Sequence, residues 1–313
     1  MYIEQAFKSK HEVWRYIFIP LGFFGLMALN YLAILLLNID VESMMETQIA
    51  QRGEISVLVE LLAPLAIGLG ILFLWVKFIH KQSIRSLTTS RKKVDWKRIF
   101  FAFSLWGIIT SGLIFLDYYL NPEDYVWNFQ LEPFLWLLLI GVALIPLQTS
   151  FEEYLFRGYL MQGIGVNYKS KLFPLIFTSV LFGMMHIGNP EVAKLGYGIL
   201  VYYIGTGFFL GIITLMDEGL ELALGFHAAN NLISALLLTA QWTAFQTPSV
   251  LKDVSKPEMG YDVLVPVFVV FPLLILIFAK KYRWSNWKYK LAGPVIPPVE
   301  ENAVAPSQEN SVL

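Results

Sequence analysis

Residues 134–160 read FLWLLLIGVALIPLQTSFEEYLFRGYL, and how that stretch is read decides the fold. Positions 134–151 hold no charged side chain, and an α-helical bilayer crossing takes about 20 predominantly apolar residues. The run then ends in Glu152 and Glu153, with Arg157 four residues after the second. Two carboxylates and a guanidinium are costly in lipid unless they face a polar cavity or one another, so they mark a functional site by default. The pattern predicts one helix that crosses a membrane and carries charge into it.

The remaining sequence is of the same kind. Hydrophobic residues make up 56% of the chain and charged residues 15%, with a mean hydropathy of +0.58, whereas soluble domains carry about 25% charged residues. Eight apolar runs are candidate spans, at 16–37, 57–78, 99–120, 134–160, 172–187, 195–216, 222–239 and 263–279. The expected fold class is therefore all-α, a polytopic membrane helix bundle of about eight transmembrane helices. It forms one domain over 1–290 with its motif core at about 131–238. Residues 291–313 are Pro-rich and polar, with too little apolar surface to offset the entropy of ordering, and are expected to be a disordered cytoplasmic tail. The 241–262 connection, with Trp242, Phe245, Pro248 and Pro257, is expected at the outer interface. The first apolar run is longer than a signal-peptide core and lacks a small-residue cleavage pattern, so it is expected to persist as a helix. With no cysteine in the chain, disulfides and thiolate metal sites are excluded.

Lys and Arg set the expected orientation, because cytoplasmic loops hold an excess of them. Lys8, Lys10 and Arg15 precede the first run, and Lys77, Lys81, Arg85, Arg91, Lys92, Lys93, Lys97 and Arg98 fall between the second and third. Lys169, Lys171, Lys280, Lys281, Arg283, Lys288 and Lys290 continue the same alternation, while the 121–133 connection has Glu123, Asp124 and Glu132 and no basic residue. Eight crossings with both termini cytoplasmic satisfy all of these clusters.

Two further polar constellations sit in apolar runs: Phe182-x-x-x-His186 and His227-x-x-x-Asn231. Residues four apart share a helix face, so Glu153 can pair with Arg157, and His227 with Asn231. Glu152 points roughly 100° away from Glu153, which leaves one carboxylate neutralised and the other free to act. Pro146 can bend the helix and open space beside the pair. Taken singly, each motif also has an ordinary structural explanation: a polar helix end, a histidine bonded to a neighbouring carbonyl, or core packing for Phe182. Measured from the expected cytoplasmic helix ends at 1.5 Å per residue, the three groups lie roughly 15 to 22, 21 and 9 Å deep. A shared site in the cytoplasmic half of the membrane is the expectation.

Carboxylate plus imidazole is equipment for deprotonating water, and a second imidazole with an amide can hold the oxyanion of a tetrahedral intermediate. No cysteine exists and no serine is placed beside a histidine by spacing, so water is the expected nucleophile. Two histidines and a glutamate could also furnish a zinc site with an open position, although the H-E-x-x-H signature is absent. A divalent metal such as zinc, with Glu152, His186 and His227 as candidate ligands, stays open.

The ordered trio E-E-x-x-x-R, F-x-x-x-H and H-x-x-x-N on successive apolar runs resembles the type II CAAX prenyl endopeptidases and their bacterial relatives, the CPBP intramembrane proteases. The resemblance covers about 131–238, and all three motifs are complete. It implies an intramembrane endopeptidase, in a family commonly labelled metalloprotease, whose Glu152 activates water with His186 while His227 and Asn231 hold the oxyanion. Glu153, Arg157 and Phe182 are then supporting residues. It further implies a multi-pass protein of a bacterial plasma membrane whose partners are the bilayer and a membrane-associated protein or peptide substrate, with no nucleic acid. The chain's own end, Asn310-Ser311-Val312-Leu313, has no CAAX cysteine. Two rival readings use the same residues: a non-proteolytic immunity or scaffold protein of the same fold, and a transporter with a proton relay. The polar residues lack the paired broken helices in two matching halves that mark many transporters.

Overall fold

In lipid, every backbone N–H and C=O must be satisfied within the segment, which turns long uncharged runs into helices. The computed structural model describes residues 1–298. In chain order it contains α1 (Phe18–Leu36), α2 (Val41–Arg52), α3 (Glu54–Phe78), α4 (Ile84–Thr88) and α5 (Trp96–Leu120). Strand β1 (Tyr125–Trp127) leads into α6 (Leu131–Tyr168), followed by α7 (Leu172–Met184), α8 (Pro190–Leu195), α9 (Leu200–Asp217) and α10 (Glu221–Leu237). Strands β2 (Leu238–Ala240) and β3 (Leu251–Asp253), then α11 (Val263–Tyr282) and α12 (Trp287–Ala292), complete the fold.

All eight predicted spans coincide with helices, and among the described residues six of these are long and apolar enough to cross a membrane. The other two, α7 and α10, have 13 and 17 residues. α10 is packed inside the bundle, whereas α7 buries one face, through Leu175, Ser179 and Phe182, and leaves Phe173, Ile176, Phe177 and Val180 exposed on the other. Gly207 of α9 sits so close to α7 that a Cβ there would meet the Ser179 carbonyl oxygen at 2.5 Å, and a Cβ on Gly225 of α10 would meet the Ile99 carbonyl oxygen of α5 at 2.1 Å. Small residues that let helix backbones touch are the usual device where lipid supplies no hydrophobic drive between helices.

The basic clusters gather on one face. There the Lys10 amide bonds the His80 carbonyl, Thr89 bridges Gly219, Ser170 bridges Pro294, and the Lys290 ammonium donates to the Met216 carbonyl at 2.8 Å. Arg91 pairs with Asp217 at 2.9 Å and Glu221 at 3.0 Å, tying the 83–98 connection to the ends of α9 and α10. The first residues are not a free tail. A 3-10 turn over Ile3–Lys8 inserts into this face, and the Tyr2 hydroxyl bonds the carbonyls of Leu87 at 2.7 Å and Arg157 at 3.2 Å.

The opposite face carries α2, α8 and a three-stranded sheet in the order β1-β3-β2, antiparallel then parallel. The 241–262 connection is therefore not a simple interfacial loop, since its middle returns as β3 and pairs with both other strands. The expected tail begins in order: Leu291 lies within α12, Gly293 accepts from the Lys171 amide, and the buried Val295 donates to the Lys169 carbonyl at 3.1 Å. Apolar Leu291 and Val295 give that short stretch the surface to pack that its polar remainder lacks. Residues 299–313 lie outside the described residues.

Candidate active site

Helix α6 is the spine of the site. It is α-helical over Leu131–Glu153, opens into π-helical turns over Tyr154–Leu160, and closes again over Met161–Tyr168. A π segment commonly marks a functional position because it re-aims side chains without breaking the rod. Here it directly follows the glutamate pair, so the widening lies after the motif, whereas Pro146 precedes it. Across this junction the Arg157 Nη1 donates to Glu153 Oε1 at 2.9 Å, and its Nη2 donates to the Gly207 carbonyl at 3.1 Å. Both charged side chains are 0% exposed. The guanidinium also lies over the Phe182 ring, 4.2 Å from its centre.

Glu153 has a second partner, because His227 Nδ1 lies 2.8 Å from the same Oε1. A carboxylate oxygen can only accept, so Nδ1 is the donor and Nε2 is the free nitrogen. That Nε2 faces Glu152 Oε2 at 3.6 Å. The other Glu152 oxygen accepts from the Gln148 amide, whose carbonyl oxygen in turn accepts from Asn231 at 3.2 Å. The predicted Glu153–Arg157 pair is thus present, and Glu152, His227 and Asn231 are joined in one network through Gln148.

His186 follows the far end of α7. Its Nδ1 donates to the Phe182 carbonyl at 2.8 Å, which leaves its Nε2 free, and its ring stacks on Tyr203 with centroids 4.2 Å apart and planes 10° from parallel. The Phe182 ring lies edge-on to both imidazoles, 5.1 Å from His186 and 5.8 Å from His227. His186 therefore joins the group through the shared aromatic ring and the shared cavity, with no hydrogen bond to Glu152.

A cavity of about 1230 Å³ is lined by Gln148, Glu152, Phe182, His186, His227 and Asn231 together. The lining continues toward the opposite face through Glu191, Thr239 and Phe245, and sideways between α1 and α3 through Phe18, Phe23 and Ile71. α6 runs on to Tyr168 well past the glutamates, and His186 lies beyond the far end of α7 rather than within it.

Glu152, His186 and His227 do not close around one ion as arranged. Among the described residues no group of three His, Cys, Asp or Glu side chains is placed to hold a metal, although each histidine keeps a free Nε2.

Sequence reading missed Gln148, Tyr203 and Asn230, the last accepting from Trp106 Nε1 at 3.0 Å and donating to Asn231 at 3.1 Å. Gln148 carries a usable signal, a lone amide one turn before Glu152 in an apolar run. Tyr203 carries none, because its place beside His186 arises from the close approach of α7 and α9.

Residues 129–233 match the family model described as type II CAAX prenyl endopeptidase Rce1-like, the family that the three motifs resemble. The chain is similar to the uncharacterized protein YyaK of Bacillus subtilis (strain 168), 29% identical over 290 residues that span 90% of this chain and 95% of the relative. It is also similar to an uncharacterized protein of Mycoplasma capricolum subsp. capricolum, 28% identical over 137 residues, 42% of this chain and 38% of that one. No solved structure matches. The family match and the six apolar helices agree on an integral membrane protein with a CAAX-protease-like region.

Proposed function

We propose that the chain is an intramembrane endopeptidase that hydrolyses peptide bonds of membrane-associated polypeptides with a water molecule activated by Glu152. The supporting observation is the 3.6 Å approach of Glu152 Oε2 to His227 Nε2 in a cavity that His186 and Asn231 also line. Glu152 takes a proton from water as the oxygen attacks the scissile carbonyl, which is general-base catalysis by a carboxylate. His227, with Nδ1–H fixed on Glu153, shares the released proton at Nε2 and turns a donor toward the developing oxyanion. Asn231 supplies a second donor by exchanging its bond to Gln148 for the oxyanion. As the tetrahedral intermediate collapses and the C–N bond breaks, the proton held between Glu152 and His227 Nε2 passes to the leaving amine, with the free Nε2 of His186 as the relay. The products are a new carboxyl end and a new amino end, and no covalent intermediate forms on the chain.

The test is to map new amino ends in membranes containing the wild-type chain against those containing Glu152→Gln. Gln keeps the shape and the bond to Gln148 but cannot act as a base. The expected result is ends that appear with wild type and are reduced about a hundredfold or more with the variant, at equal protein level. Ends that persist with Glu152→Gln contradict the assignment.

A further inference from the structure

Two basic segments meet where α5 begins and α11 ends, and none of their residues lines the catalytic cavity. Residues 91–98 read RKKVDWKR and run into α5, and residues 280–290 read KKYRWSNWKYK and lead out of α11. Three contacts hold them side by side. The Arg98 guanidinium lies over the Tyr282 ring, 3.9 Å from its centre, and the Lys281 ammonium lies over the Phe101 ring at 4.1 Å. Trp284 Nε1 donates to Asp217 at 3.1 Å, on the same carboxylate that pairs with Arg98.

The carboxylates of this surface are already neutralised. Asp95 pairs with Arg98 at 3.1 Å, Asp217 with Arg91 at 2.9 Å, Glu221 with Arg91 at 3.0 Å and Glu218 with Lys290 at 3.5 Å. Residues 276–298 contain no acidic side chain at all. Lys92, Lys93 and Lys97 on the first segment, and Lys280, Arg283 and Lys288 on the second, are exposed and have no carboxylate partner among the described residues. Like charges gathered on one surface repel one another until an anion lies among them.

The level of the surface says which anion. Phe100, one turn into α5, and Leu273 and Leu276 near the end of α11 are exposed apolar side chains that suit lipid, so the cations just beyond them stand at head-group depth. Trp96 and Trp287 are exposed beside these cations, and Trp at the end of a span occupies that same interfacial layer. Lys and Arg can lay their methylenes along apolar surface while their charge reaches the head groups.

We infer that this surface is a binding site for anionic phospholipid head groups of the bilayer in which the protein sits. Clusters of about four to eight Lys and Arg next to a membrane span hold such lipids by charge. The site stands apart from the proteolytic reading.

The test uses the full chain, stripped of lipid in a neutral detergent and titrated with phosphatidylglycerol or with phosphatidylcholine, the retained lipids being counted by native mass spectrometry. The expected result is retention of phosphatidylglycerol at a concentration at least about tenfold below that needed for phosphatidylcholine. Lys93→Gln, Lys97→Gln, Lys280→Gln and Lys288→Gln combined are expected to abolish that preference, and Lys→Arg at the same four positions to keep it. Lys→Gln at Lys8, Lys10, Lys77 and Lys81, which are exposed elsewhere on the protein, is expected to leave most of it. Equal retention of the two lipids by the wild-type chain overturns the inference whatever the variants do. An equal loss in the two Gln sets, or a loss in the Arg set, overturns it by showing diffuse net charge or local structure in place of a site. Displacement of phosphatidylglycerol by millimolar glycerol phosphate at fixed ionic strength also overturns it, since the surface would then take a soluble anion.

Discussion

At Glu153 a single carboxylate oxygen holds both Arg157 and His227 with no exposure to solvent. A buried ion pair adds little net stability compared with apolar packing, but removing one partner leaves an uncompensated buried charge. Arg157→Leu alone is therefore expected to cost about 3–5 kcal/mol, read from denaturant unfolding in detergent micelles. The double variant Glu153→Leu, Arg157→Leu is expected to recover most of that stability while remaining inactive, because His227 Nδ1 has lost its acceptor. Recovery of activity along with stability would show that Glu153 does no more than balance the guanidinium. At this scale the sequence was informative where spacing encodes contact: the four-residue step from Glu153 to Arg157 predicted their bond. It was silent on the link from Glu153 to His227, which joins helices 74 positions apart in the chain, and on the placing of Glu152 against His227 rather than against His186 by a direct bond.

The elements were legible wherever hydropathy and length coincide, as in α3, α5 and α11. Hydropathy alone could not separate a lipid-facing span from a short helix wrapped by its neighbours, which is why α10 read as an ordinary crossing. The π segment of α6 leaves no compositional trace, because it is a change in backbone hydrogen bonding over residues that would equally form an α-helix. What fixes α7 against α9 is legible only afterwards, at Gly207, whose carbonyl holds Arg157 and whose missing side chain admits the Ser179 carbonyl. Gly207→Leu is expected to force these helices apart, lowering the melting temperature and moving His186 and Tyr203 out of stacking. Gly207→Ala is expected to show a smaller loss in the same assays. Unchanged melting and activity in Gly207→Leu would mean that the contact does not position the site.

Over the whole molecule, the fold gathers the basic connections on one face and α2, α8 and the small sheet on the other, with the polar network between them. Charge counting along the chain foresaw the first half of that arrangement, since every Lys and Arg cluster used for orientation lies on one side. It could not foresee that Tyr2 folds back onto the carbonyls of Leu87 and Arg157, or that the 241–262 connection adds a strand between β1 and β2, because both depend on contacts far apart in sequence. Residues from separate helices that act on one water molecule as a unit lose activity non-additively. The most direct measurement is the cleavage rate of Glu152→Gln, His227→Gln and the double variant, on membranes that yield Glu152-dependent ends. If Glu152 and His227 serve the same proton, the double variant is no slower than the slower single one. Losses that multiply, or a single variant that keeps the wild-type rate, would contradict a shared centre.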